Sequence, residues 1–354
     1  MDLLSQIYSD ETLDFAYRLL CRKREKFSCN NDIWDLRANW GNEKERIKRH
    51  ITSGAYTFDV VRKFQKDGEN IESWSARDSI VLTALYIALR GFFRGTISKS
   101  CANFKGHGGL KGAVREVALK ITSYKYVIKT DIRSYYASIN HEILMEMLGV
   151  YIKDKVLLSL IYKFLKRTTY FEGYYIANNE HRGISRSNPL SVLLGSLYLK
   201  SIDEYFSAKT GAWYCRYMDD IIIFTKNRFQ IDRYVRKLYN LIENLKLKLA
   251  KDKTFIGRLE RGFEFLGYKF TRAGLEIAKK TIDNFKANIS KRLYEPKQHS
   301  IKTQEVVSQY VARWKSWVLG GLGNIGKEKL ITQMETTSCL TLLFPNPIPL
   351  KTKI

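Results

Sequence analysis

Residues 213–224, Trp213-Tyr214-Cys215-Arg216-Tyr217-Met218-Asp219-Asp220-Ile221-Ile222-Ile223-Phe224, set two adjacent carboxylates between an aromatic run and an apolar, β-branched run. Both flanks have strand composition, so strand, turn, strand is predicted over Trp213 to Thr225, with Asp219 and Asp220 at the tip. Side-by-side carboxylates raise each other's pKa, and a cation that neutralises them is the simplest explanation of the pair. An ordinary turn is the alternative, because Asp is a frequent turn residue.

Upstream, Lys129-Thr130-Asp131-Ile132-Arg133-Ser134-Tyr135-Tyr136 continues an aromatic and β-branched stretch, Tyr124 to Thr130, that reads as a strand ending at Asp131. A lone strand-end Asp means little. Three carboxylates converging from a strand end and a hairpin tip would supply hard oxygen ligands for two Mg²⁺ ions, with Mn²⁺ as a substitute. That arrangement suits in-line displacement at phosphorus: one ion would activate a 3′-hydroxyl, the other would hold a triphosphate and its leaving pyrophosphate.

Polyphosphate chemistry agrees with the charge. The 354 residues include 60 Lys and Arg against 36 Asp and Glu, a formal net charge of +24, with a pI near 9.7. At 45% hydrophobic and 13% aromatic the chain is not globally disordered, and its length allows two or three packed units. Such an excess attracts nucleic acid first and an anionic membrane surface second. Cys21, Cys29, Cys101, Cys215 and Cys339 are scattered, with no C-x-x-C pair, so reduced thiols and no structural zinc are expected. No basic leader precedes an apolar stretch, and Ile80 to Leu89 falls short of the roughly 18 residues of a membrane span. A cytoplasmic protein is expected.

Around the carboxylates, residues 1–55 read as basic helices, with Leu13, Phe15, Ala16, Leu19 and Leu20 striped beside Arg22-Lys23-Arg24. Lys66 to Asn70 is turn chemistry between Tyr56–Phe64 and Ile71–Ser75, which predicts a hairpin. Ser79 to Phe93 reads as a buried helix, and Phe104 to Gly112 as a glycine-rich loop carrying Lys105, His107 and Lys111. That loop lacks the Gly-Lys-Ser/Thr of a P-loop. Ile143 to Phe164 is predicted helical, Gly183 to Leu199 a loop leading into an apolar helix, Ile231–Leu245 a helix, and Phe263 to Phe270 a strand pair. Residues 275–320 show helical periodicity, with Val306, Val307, Tyr310, Val311, Trp314, Trp317 and Val318 on the apolar face, and Pro345, Pro347 and Pro349 mark an extended tail. This order of elements argues for a mixed α+β architecture.

Together these segments resemble a reverse transcriptase. Tyr217-Met218-Asp219-Asp220 is similar to the family's Y-x-D-D box, and Asp131 with Tyr136 resembles its first catalytic strand and the aromatic that follows. Gly183 to Ser191 resembles the loop and helix under the template, Leu247 to Thr254 the segment with the closing lysine, Phe263 to Tyr268 the primer-grip strands of group II intron-type enzymes, and Tyr310 to Trp317 their thumb helix. The resemblance covers residues 56–320 and implies a right-hand polymerase: fingers over 56–120, palm over 121–262 with a finger insertion near 140–185, primer grip over 263–274, helical thumb over 275–325, and a tail over 326–354.

The resemblance also implies roles. Asp131, the Ile132 backbone, Asp219 and Asp220 would hold metal, and Lys253 would protonate pyrophosphate. Arg62, Lys63, Arg77 and Arg186 would hold the nucleotide, with Tyr136 excluding ribonucleotides by clash with the sugar. Lys105, His107, Lys111, Ser191, Tyr217, Met218, Gly267 and Arg313 would meet template or primer, while Trp314 and Trp317 pack inward. The chain departs from the pattern in three places of the supporting loop: Arg186 stands where most relatives have Gln, Ser187 where they have Gly, and Val192 where they have Pro. The finger strand also lacks the usual Arg-Pro pair.

Only about 30 residues follow the thumb, too few for an RNase H or integrase module. Among stand-alone bacterial enzymes of this kind, the reading favours antiphage defence, with a structured non-coding RNA as template, deoxynucleotides as substrates and a DNA primer or product; an oligomer or partner protein stays open. Two alternatives remain: an RNA-binding or splicing cofactor without synthesis, and a template-independent or protein-primed nucleotidyltransferase.

Overall fold

A computed structural model describes residues 2–66, 69–178, 180–294 and 301–336. Among them eleven strands follow in chain order: β1 (Val61–Lys66), β2 (Glu69–Ser73), β3 (Tyr126–Thr130), β4 (Thr168–Phe171), β5 (Tyr174–Ala177), β6 (Ala212–Tyr217), β7 (Asp220–Thr225), β8 (Phe255–Arg258), β9 (Phe263–Phe265), β10 (Tyr268–Thr271) and β11 (Gly274–Ile277). With the helices between them they make a mixed α+β chain of two units. The first comprises Met1–Phe104, Ile132–Tyr205 and Arg236–Ala250; the second comprises Lys105–Asp131, Phe206–Val235 and Lys251–Ile354.

In the first unit the helix Ala76–Phe92 buries Ile80, Val81, Leu82, Leu85 and Leu89 and leaves Ser79, Thr83, Tyr86 and Arg90 partly open along one stripe. The Ser75 hydroxyl caps it, accepting from the Asp78 amide at 3.1 Å. Helices Leu3–Tyr8, Asp10–Lys23 and Pro189–Tyr198 pack on it. The basic N-terminal region forms four helices, and part of its charge is used internally. Lys44 and Lys48 pair with Asp10 at 3.0 and 2.7 Å, while buried Arg24 bonds Asp32 at 2.9 Å and the Trp74 carbonyl at 2.8 Å.

The predicted finger hairpin is β1 with β2, antiparallel from Arg62↔Ser73 to Lys66↔Glu69. A second hairpin, β4 with β5, joins β1 in parallel, giving the order β2-β1-β4-β5. The single helix expected over Ile143 to Phe164 is instead two, His141–Tyr151 and Lys155–Leu165. Asp154 breaks them apart: its carboxylate accepts from the Leu157 amide at 3.0 Å and caps the second helix.

The second unit centres on an antiparallel sheet of order β6-β7-β3-β8. Ile221, Ile222, Ile223 and Phe224 in β7 are completely buried, which explains why that strand is apolar without alternation. A smaller sheet, β11-β10-β9, adjoins it through rings: Phe263 stacks on Phe270 at 5.3 Å and meets Phe224 at 5.9 Å. Helices Lys279–Tyr294 and Ile301–Leu319 pack through Phe285, whose ring lies 3.9 Å from Trp314 and 5.7 Å from Tyr310.

Four expectations are corrected here. The glycine-rich loop ends at Gly108, where φ is +94°, and the helix Gly109–Lys120 begins immediately, so Lys111 and Gly112 are helical. Residues 275–277 belong to strand β11 rather than to a helix, because Leu275 and Ile277 alternate inward against β10. Residues 327–336, assigned to the tail, form a helix; Leu330 and Met334 are one turn apart and buried, and the Gln333 side chain accepts from the Ile277 amide at 2.7 Å. Val306 is 49% exposed, whereas Val307, Val311 and Val318 are buried, so the apolar stripe runs one position further round. Pro345, Pro347, Pro349 and Cys339 lie outside the described residues. No helix among the described residues is long and apolar enough to cross a membrane.

Candidate active site

Strand register assembles the carboxylates. The last pair between β3 and β7 is Thr130↔Ile221, so one step further Asp131 faces Asp220. On the other side the last pair between β3 and β8 is Lys129↔Phe255, and continuing that register brings Thr254 opposite Thr130 and Lys253 opposite Asp131. Side chains agree: the Thr130 and Thr254 hydroxyls lie 2.7 Å apart, and Lys253 Nζ donates to Asp131 Oδ2 at 2.8 Å. A central strand whose two antiparallel neighbours both begin where it ends thus concentrates Asp131, Asp220 and Lys253 at one sheet edge, with Asp219 in the adjoining turn.

The turn itself is strained. Tyr217 pairs with Asp220, leaving Met218 and Asp219 as a two-residue connection, and Met218 has φ +54°. A left-handed non-glycine residue costs about 1–2 kcal/mol. Arg216 holds the turn from beneath: its side chain is fully buried and Nη1 donates to the Met218 carbonyl at 2.7 Å.

Charge is unbalanced at this edge. Burial, followed by the negative charges of Asp131 and Asp219, pushes the Asp220 carboxyl up to about 6, against the pull of Lys129. Lys129 Nζ lies 3.6 Å from Asp220. Lys253 is held above its ordinary value, first by its hydrogen bond to Asp131 and then by the surrounding acids.

These residues fit divalent ions in donor chemistry, since all three acids offer hard oxygen ligands and the raised Asp220 marks negative charge that a cation relieves. Two ammonium groups partly fill that need, Lys253 at Asp131 and Lys129 at Asp220. No group of three His, Cys, Asp or Glu among the described residues is closed round a single point as a finished metal site. Ile132, expected to offer its carbonyl, is buried and bridged to Leu249.

In the first unit, Lys63 and Arg186 line one cavity of about 730 Å³ together with Arg167, Arg182, Glu72 and Ser187. Lys63 Nζ also lies 5.0 Å above the Phe171 ring. Arg77 is not with them: it bonds Asp59 at 2.6 Å and lines a separate cavity of about 420 Å³ with Asp32, Asp35 and Glu43. Arg62 is exposed on β1, on the opposite face from Lys63. The two neighbouring tyrosines divide their work. Tyr135 is 3% exposed and donates to the Gly195 carbonyl, while Tyr136 is partly open, its ring 5.3 Å from that of Tyr135. Ser191 is buried and bonded to Asn188 Oδ1 at the helix start, a structural placement.

In the second unit, Lys105 is exposed, and His107 and Tyr217 are partly so. Lys111 is turned to an internal use: Nζ sits 4.8 Å over the Tyr268 ring and 4.4 Å over Trp317, and donates to the Tyr268 hydroxyl and the Trp317 carbonyl. Gly267, at φ +84°, allows this packing, because a Cβ there would stand 2.9 Å from the Trp317 ring. Trp314 is buried as expected, whereas Trp317 stays 36% exposed beside Lys111. Arg313 is exposed on its helix.

Sequence reasoning missed Lys129, Arg216 and the Arg167–Glu72 pair, bonded at 3.1 and 2.9 Å. Lys129 and Arg216 carried a signal: each is an ionised residue inside a strand otherwise rich in apolar residues, one position from a strand end. Arg167 carried none.

Comparison with known proteins agrees with this geometry. Residues 81–270 match the family described as reverse transcriptase (RNA-dependent DNA polymerase). Protein YkfC of Escherichia coli K12 is 26% identical over 235 residues, covering 55% of this chain and 61% of that protein. The group II intron-encoded protein LtrA of Lactococcus lactis is 24% identical over 221 residues, covering 57% of this chain and 36% of LtrA. A putative COX1/OXI3 intron 1 protein of Saccharomyces cerevisiae is 23% identical over 264 residues, covering 73% and 30%. The chain therefore spans less than two thirds of the length of each of these relatives.

Proposed function

The chain belongs to the reverse transcriptase family, and from that premise we propose that it is an RNA-directed DNA polymerase, extending a primer with deoxynucleotides along an RNA template. The observation that carries this reading is the register that gathers Asp131, Asp220 and Lys253 at one end of β3 beside Asp219. A non-synthetic RNA scaffold has no use for a turn strained at Met218 and a carboxylate, Asp220, that burial and then its neighbours Asp131 and Asp219 push up to about 6.

Asp131, Asp219 and Asp220 would hold the divalent ions, Mg²⁺ or Mn²⁺, whose charge would activate the primer 3′-hydroxyl and neutralise the triphosphate. Lys253 gives a proton to the departing pyrophosphate, a role that its charge and its position across from Asp131 support. Lys63 and Arg186, which share a basic cavity, bind the triphosphate, and the partly open Tyr136 limits the sugar to deoxyribose. In this reading β1, β2, β4 and β5 belong to the fingers, the β6-β7-β3-β8 sheet to the palm, β9 and β10 to the primer grip and the paired helices 279–319 to the thumb. A dedicated non-coding RNA as template and a role in antiphage defence are the biological setting proposed, supported by the altered loop at Arg186 and Ser187.

The test is primer extension by the purified protein with Mg²⁺, RNA template and deoxynucleotides. Asp219→Ala should abolish extension while RNA binding persists. Tight RNA binding without extension by the wild type would favour the scaffold, and extension without template would favour a terminal nucleotidyltransferase.

A further inference from the structure

The solvent face of the β2-β1-β4-β5 sheet carries rings that polymerase chemistry leaves without a task. Register sets them in a row: Tyr175 on β5 pairs with Tyr170 on β4, and Tyr170 with Arg62 on β1. Adjacent strands lie ~4.8 Å apart, and the Tyr170 and Tyr175 rings are 5.1 Å apart between centroids. Phe64, two residues past Arg62, shares the face. Tyr175 is 72% exposed, Phe64 44% and Tyr170 39%. The alternate residues point the other way, with Val61 buried and Lys63 lining the cavity of Arg186.

We propose that this face binds single-stranded RNA, with unpaired bases stacking on Tyr175, Tyr170 and Phe64 and a phosphate held by Arg62. Open rings across a sheet face form an exposed apolar patch, which is retained at a cost unless something stacks on it. Flat ring faces accept any base, and a four-stranded sheet bearing exposed aromatics is a general platform for unpaired bases. The charge matches: Arg62 is the ionised group among the described side chains of this face, on a chain of net charge +24. The choice of RNA rests on the polymerase reading, because the template is the strand that is unpaired before it is copied. Duplexes, whose bases are already stacked, are not its ligand.

The test measures binding of the full chain to a ~12-nucleotide unstructured RNA and to a blunt RNA–DNA duplex, by fluorescence anisotropy. Tyr170→Ala with Tyr175→Ala should weaken single-strand binding about tenfold per ring and leave duplex binding unchanged. Tyr170→Phe with Tyr175→Phe should keep wild-type affinity, since stacking does not need the hydroxyl. Unchanged single-strand affinity in the alanine pair overturns the proposal, as does equal loss for both ligands. So does a changed oligomeric state, seen by light scattering, with RNA affinity intact, which would make the face a protein interface. Ring-dependent binding by a wild type that extends no primer would sink the polymerase reading and leave the platform standing; extension with ring-independent binding would do the reverse.

Discussion

Lys253 and Asp131 face each other because β8 starts where β3 ends, and their contact separates a catalytic from a structural role by size. An ion pair with a half-exposed lysine contributes ~1 kcal/mol or less to folding, whereas a positioned proton donor is worth about 10²–10⁴ in rate. Lys253→Met should therefore lower single-turnover extension at least about a hundredfold with little change in the melting curve; equal losses in both would make the lysine structural. Gly267 is the opposite case. Its φ of +84° and the 2.9 Å approach of Trp317 leave no room for a methyl group, so Gly267→Ala should cost roughly 2 kcal/mol in a denaturant titration. A Gly267→Ala variant as stable as the wild type would show that Trp317 yields freely.

Lys111 joins elements rather than substrates, tying the helix Gly109–Lys120 to β10 and to the end of the helix Ile301–Leu319. Burial lowers its amine from the ordinary 10.5 to about 8. Between those values the unfolded chain binds more protons than the folded one, so raising the pH across that window stabilises the fold through this residue. The denaturation midpoint of Lys111→Met should lack the part of the rise between pH 8 and 10 that the wild type shows; parallel curves would contradict the buried placement. This element also shows what the sequence hides. The carboxylate edge was legible because strands of Tyr, Val and Ile ending in Asp, and an apolar strand preceded by Asp-Asp, declare both their conformation and their ends locally. The helix through Lys111 and Gly112 was not, since four glycines between 106 and 112 outweigh local propensity until packing on β6 restores it. The setting of Arg77 was hidden for a related reason: nothing near it in sequence announces that Asp59, 18 residues away, takes its guanidinium.

At the scale of the whole chain, the net charge of +24 already subtracts every acid, and internal pairs such as Arg24–Asp32 and Arg167–Glu72 decide where the excess sits on the surface rather than how large it is. Cations that remain unpaired act by displacing counterions from phosphates, which makes affinity a steep function of salt. A surface contacting about 6–10 phosphates should lose roughly 10³–10⁵ in RNA affinity between 50 and 200 mM salt. Arg62→Gln, which removes one exposed guanidinium on the ring-bearing face, should reduce the slope of log affinity against log salt by about one, while Arg77→Gln, whose charge is already met by Asp59 at 2.6 Å, should leave the slope as it is. A shallow wild-type slope, or equal changes in the two variants, would mean that the excess charge serves solubility and that RNA is held by stacking and hydrogen bonds instead.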